Sequence, residues 1–299
     1  MSSRSIVIIS CATSLLLAAG HSASAQVLDK LRAPLEKRIA SHHGVVGLYV
    51  KDLTSGETLS INGREQFPSA SVIKVPILVE LFHNIERGTI KLSDPLIMLA
   101  ADQRPGSGVL QFLSTPHTLT VADAAMLMII LSDNSATNLI IDKVGIRNVN
   151  ARMDSLGLRQ TRLHAKVFLG SSTTIDTAGT RRWGLGVTTP EEMGTLFERM
   201  YRGTAVSDTA SKQMLNMLRR NFDYEEIPRL LPPGVSVAHK TGKLDASRSD
   251  CGIVYNNGKD YVLCIFTRDN QDRSWRIDTE ARVTMGELAR LVHEGITSK

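Results

Sequence analysis

The chain has 299 residues, enough for one large domain or two closely packed ones. Its 42% hydrophobic and 22% charged residues exclude a disordered chain. The net charge of +5 is spread out, with no basic stripe interleaved with aromatics, so nucleic acid is not an expected partner.

The N-terminus reads as an export signal. Arg4 supplies the positive region, Ile6 to Ala19 the apolar core, and Ala23-Ser24-Ala25 a small-x-small cleavage site. Residues 1–25 are therefore expected to be removed, leaving a mature chain that starts near Gln26. The apolar core is too short to span a bilayer, and no later segment is long enough. The expectation is a periplasmic or secreted monomer with no stable membrane insertion.

Leu28, Leu31, Leu35 and Ile39 then predict an amphipathic helix from Val27 to Ser41. Val45 to Lys51 and Glu57 to Ile61 read as strands joined at Thr54-Ser55-Gly56. A buried helix is predicted from Val72 to Glu86, with Gly88 ending it. Pro76 fits badly inside a helix, which points to a tight or 3₁₀ first turn. Residues 89–118 are mixed, and Pro105 to Gly108 mark an irregular loop. Thr120 and Asp123 form a capping box for a helix from Val121 to Leu131. Further helices are predicted over Ala136–Val144 and Val149–Leu156. Residues 158–188 show no clear periodicity, and a segment that long without elements is usually functional or mobile. Thr189 and Pro190 open a helix that runs to Tyr201, and another covers Asp208 to Arg220.

The last quarter is strand-like. Val235 to His239 leads into Lys240-Thr241-Gly242. Gly252–Tyr255 and Tyr261–Thr267 form a hairpin about Asn257-Gly258. That turn places Cys251 opposite Cys264, either as two buried thiols or as a disulfide. A helix from Thr279 to Gly295 closes the chain. Strands at both ends can share one antiparallel sheet covered by the terminal helices, with an all-helical lobe between. The expected sheet lobe is 26–65 with 222–299, and the helical lobe 66–221. A cleft between them is the place to look for chemistry.

Three short signals stand in order along the chain. Ser71 and Lys74 share one helical face at the start of the buried helix. A serine hydroxyl needs a neighbour to take its proton, and a lysine kept uncharged by burial can do so. Ser132-Asp133-Asn134 ends one helix, and Lys240-Thr241-Gly242 ends a strand. S-x-x-K alone is common by chance. All three, in this order at separations of 61 and 108 residues, are specific.

With these motifs the chain resembles the penicillin-recognising serine hydrolases, and among them the class A β-lactamase-like group. The resemblance covers nearly the whole mature chain. It implies an α+β fold with a five-stranded antiparallel sheet, flanked by N- and C-terminal helices, plus a helical lobe. By resemblance, Ser71 is the acylated nucleophile, Lys74 activates it, and Ser132 relays a proton to the leaving nitrogen. Asn134 holds the substrate's amide side chain, while Lys240 and Thr241 receive its carboxylate. Gly242 lets a ligand lie against the strand. The N–H groups of Ser71 and Lys243 form the oxyanion hole. Arg248 is either a second partner for the carboxylate or an exposed surface arginine. The resemblance implies neither metal nor cofactor.

One departure stands out. The class A loop glutamate that activates the deacylating water has no counterpart: His164, Ala165, Lys166, Val167 and Phe168 stand where it belongs. Asp176 is the only acid between Leu158 and Thr188, and Asp176 and His164 are weak substitutes. The expected activity is hydrolysis of the β-lactam amide through acyl-Ser71, with slow deacylation. The alternatives are a D,D-peptidase or esterase on cell-wall fragments or small esters, and a sensor that traps the acyl adduct.

Overall fold

The computed structural model describes residues 19–298, with side chains from Val27 onward. Arg4 and most of the expected leader lie outside the described residues. Among the described residues, no helix is long and apolar enough to cross a membrane.

Helix α1 (Ala19–Ala40) leads into β1 (Val45–Asp52) and β2 (Thr58–Ile61). The chain passes through a two-residue strand, β3 (Phe67–Pro68), and a 3₁₀ turn over Ala70–Ile73 into α2 (Lys74–Glu86). Pro76 is thus the third residue of α2, where a missing N–H costs no intrahelical bond. Strands β4 (Pro95–Met98) and β5 (His117–Thr120) pair within the segment that the sequence left unassigned. Helices α3 (Val121–Ile130), α4 (Asn134–Val144) and α5 (Ile146–Ser155) follow. The capping box forms as expected, with Thr120 Oγ1 accepting from the Asp123 N–H at 3.1 Å.

The aperiodic stretch holds four short elements: β6 (Arg162–Leu163), α6 (Gly170–Thr173), α7 (Thr177–Trp183) and β7 (Gly186–Thr188). They are too short to leave a periodic signal. Strand β7 lies between β3 and β6, which ties this segment to the residues just before Ser71. Helices α8 (Pro190–Tyr201) and α9 (Asp208–Leu218) complete the helical part. Strands β8 (Ser236–Leu244), β9 (Ser247–Tyr255), β10 (Tyr261–Arg268) and helix α10 (Glu280–Thr297) end the chain.

The five-stranded sheet has the order β2-β1-β10-β9-β8, antiparallel throughout. Its residues alternate between two cores, as a period of two requires. Val46, Leu48, Val50, Leu263 and Ile265 face Leu28 and Leu35 of α1 and Leu288 and Val292 of α10. Tyr49, Ile253, Val262 and Phe266 join the helical core around Ile77, Leu78 and Leu81 of α2. Asn257 and Gly258 both have positive φ, at 45° and 89°, as a two-residue type I′ turn demands. That turn fixes the register opposing Cys264 to Cys251, and the two are joined as a disulfide.

Candidate active site

Ser71 sits in the 3₁₀ turn that enters α2, and Lys74 is the first residue of α2 itself. The turn is held from both sides. The Ser69 N–H donates to the Gly186 carbonyl in β7 at 3.0 Å. Strand β8 packs against it at Gly242, where a Cβ would lie 2.7 Å from the Ser69 carbonyl oxygen. Gly242 is therefore required for backbone to meet backbone, ahead of any need to admit a ligand. Ala70 has φ of 44° and Ser132 has φ of 54°. Left-handed backbone in non-glycine residues costs about 1–3 kcal/mol each and clusters at functional sites.

Lys74 is fully buried, and its ammonium reaches three oxygens. It donates to the Ser132 carbonyl at 2.7 Å, Ser132 Oγ at 3.0 Å and Asn134 Oδ1 at 3.1 Å. Burial, then the nearby charge of Lys240, hold its pKa well below that of a free lysine, against the opposing pull of Asp133. Among the described residues the Ser71 hydroxyl makes no hydrogen bond. Catalytic bonds of this kind often tighten only once substrate is bound. Ser71 and Ser132 nonetheless line the same cleft, of about 350 Å³, together with Asp223, Thr241 and Lys243. An adjoining hollow of about 450 Å³ shares Ser71 and Lys243 and adds Asn134 and Phe168.

Asp133 anchors the second motif. Its buried carboxylate accepts the N–H groups of Val109 and Leu110 at 2.7 and 2.9 Å, and that of Ala136 at 2.9 Å. It thus caps α4 and ties the Pro105–Gly108 loop to Ser132. Asn134 supports the same loop, donating to the Pro105 carbonyl at 2.8 Å. Asp133→Ala would leave three donors unpaired, and we expect it to lower stability by about 3–5 kcal/mol. Urea unfolding reads this directly; a loss below about 1 kcal/mol would mean water replaces the carboxylate.

Lys240 is fully buried, and its ammonium donates to the Thr241 carbonyl at 3.0 Å. Burial lowers its pKa to about 8, even though Asp223 and Asp250 act to raise it. Thr241 Oγ1 donates to Asp223 Oδ2 at 2.8 Å. The Lys243 ammonium reaches that same oxygen at 2.7 Å and Glu225 at 2.9 Å. Burial and the charge of Asp223 raise the pKa of Glu226 to about 8. Oxygens of Asp223, Glu225 and Glu226 gather within 4.8 Å of one another, as a metal site would require. Here the Lys243 ammonium supplies the positive charge in a cation's stead.

One sequence expectation does not survive. Arg248 is neither exposed nor in the cleft: it is buried, and donates to the carbonyls of Ser247 and Ser274 at 2.9 and 2.8 Å. Its guanidinium lies 4.6 Å from the Trp275 ring, so it supports a residue that lines the cleft. His164 and Asp176 are also turned to structural work. His164 is buried with Nδ1 3.3 Å from the Gly184 carbonyl, and Asp176 caps α7 by accepting the Gly179 N–H at 2.9 Å. The loop side of the cleft is instead made by Ala165, Lys166, Val167 and Phe168. Lys166 is paired with Asp142 at 2.7 Å. Asp223 and Glu225 were missed in the sequence, although the acidic run Asp223-Tyr224-Glu225-Glu226 stands shortly before Lys240.

A serine in a tight turn, a buried lysine and a second serine beside one cleft fit a serine hydrolase of the penicillin-recognising kind. The match of the β-lactamase enzyme family to residues 30–296 makes the assignment plain: the chain belongs to that family and is a β-lactamase-type serine hydrolase. It is 26% identical to the carbapenem-hydrolysing β-lactamase KPC of Klebsiella oxytoca, over 98% of this chain and 97% of that protein. Its fold matches the β-lactamase of Sphaerobacter thermophilus with a TM-score of 0.79 at 28% identity, over 90% of this chain and 97% of the other. It also matches PBP-A, with a TM-score of 0.76 at 27% identity, over 89% and 96% of the two chains.

Proposed function

We propose that this protein opens β-lactam amides by acylating Ser71, and that it releases the product slowly. The observation that carries the first half is Lys74, buried and held below its ordinary pKa, in contact with Ser132 at the edge of the Ser71 cleft. As a free amine Lys74 takes the Ser71 proton while the Ser71 oxygen bonds to the carbonyl carbon. The C–N bond then breaks, and the proton returns through the Ser132 hydroxyl to the leaving nitrogen. The N–H groups of Ser71 and Lys243 receive the oxyanion, and Asn134 holds the acyl side chain. We further propose that the chain is exported, on the strength of the leader-like residues 1–25.

A second reading has one observation in its favour: the loop offers no carboxylate to the cleft. A protein that acylates and holds its adduct would serve as a D,D-peptidase or a penicillin trap. A PBP-A variant of 27% identity is described as an acyl-enzyme complex with penicillin G. The test common to both readings is intact mass after exposure to a chromogenic cephalosporin. One adduct on Ser71 is expected, and none in Ser71→Ala. Colour or adduct that persists in Ser71→Ala would remove Ser71 from the chemistry.

A further inference from the structure

The Thr241 end of the cleft is already occupied. A threonine hydroxyl has one proton to give, and that of Thr241 goes to Asp223 Oδ2 at 2.8 Å. The Lys243 ammonium is bound by the same oxygen at 2.7 Å and by Glu225 at 2.9 Å. Lys240 is fully buried behind them, with its bond directed to the Thr241 carbonyl. The Thr241 hydroxyl and the Lys243 ammonium, which face an incoming carboxylate here, are thus engaged by carboxylates of the chain itself.

Asp223 is also fixed in place. Its N–H donates to Asn221 Oδ1 at 3.1 Å, and buried Asn221 in turn donates to the His239 carbonyl of β8 at 3.2 Å. The segment is therefore tied to the strand that carries Lys240 and Thr241. Burial would raise the pKa of Asp223, but the charge and hydrogen bond of Lys243, with the bond from Thr241, bring it down to about 2. It stays ionised across the working pH range.

We propose that Asp223 is a specificity-determining residue: its carboxylate stands on Thr241 and Lys243 where a substrate carboxylate would bind. The cleft then prefers amides or esters with an uncharged group at that position. This rests on acylation of Ser71 and adds to it the class of substrate. A carboxylate arriving at Thr241 must displace Asp223 or share its surroundings as a like charge, and either penalty falls on that substrate alone.

A matched pair of chromogenic cephalosporins, one with the free ring carboxylate and one with its methyl ester, tests the idea. Each acylation rate on the full chain, confirmed by mass as an adduct on Ser71, is divided by that compound's own rate of hydroxide hydrolysis. The wild-type protein is expected to favour the ester by about tenfold or more. Asp223→Asn is expected to shift the ratio of carboxylate to ester rate by about tenfold toward the carboxylate. The wild-type ratio decides alone if that variant does not fold. A wild-type preference for the carboxylate, or an unchanged ratio in folded Asp223→Asn, overturns the inference and leaves Ser71 chemistry intact. Failure of both compounds to label Ser71 overturns the acylation reading and this inference with it.

Discussion

Lys74→Met is expected to slow acylation of Ser71 by about 10²–10⁴-fold, the usual worth of a positioned general base. The fold should hold. Methionine fills a similar volume, and removing a buried ammonium removes its desolvation cost. Set against that is the loss of three hydrogen bonds, two to Ser132 and one to Asn134. The wild-type pH profile carries the same signature. On the proposed route the reactive form is the free amine, so acylation should rise with pH through a pKa depressed by burial and by Lys240. Below that pKa the rate should fall tenfold per pH unit. Burst kinetics of adduct formation measure both. A Lys74→Met protein that acylates at the wild-type rate would assign the base elsewhere.

The second large effect lies in the other half-reaction. With no carboxylate on the loop side of the cleft, hydrolysis of acyl-Ser71 should run about 10²–10⁴-fold slower than a base would allow. One equivalent of colour should appear quickly, followed by a slow steady state, with the adduct persisting by mass for as long as substrate remains. Sustained turnover without a burst would mean that a base acts after all. His164→Gln and Asp176→Asn would then find it, since only the true base would convert turnover into a burst. From their positions, facing Gly184 and capping α7, neither should change the outcome.

Signals repeated over several residues were the ones legible in the sequence. Alternation in Val45–Lys51, the capping box at Thr120 and the Asn257-Gly258 turn each led to the element or register observed. The start of β9 was not legible. Ser247 to Asp250 are polar, yet they are buried, with Ser247 Oγ donating to the Thr267 carbonyl and Asp250 paired with His239. A hydropathy pattern reads such residues as a loop. The Ser71, Lys74, Ser132 and Lys240 set could be found because its members recur in short motifs. Asp223 could not: its importance comes from contacts with Thr241 and Lys243, distant in the chain, which no local pattern records.

The pairing of β1 with β10, from Val45 with Arg268 to Asp52 with Tyr261, joins strands separated by the entire helical lobe. Contacts this distant in the chain make folding slow, since the intervening loop must be closed before they stabilise anything. A fragment that stops before Tyr261 would leave β1 as a bare edge open to other chains. Truncation there should give aggregates and no partly working enzyme, because the strand that joins β1 to β9 lies within the last 39 residues, 261–299.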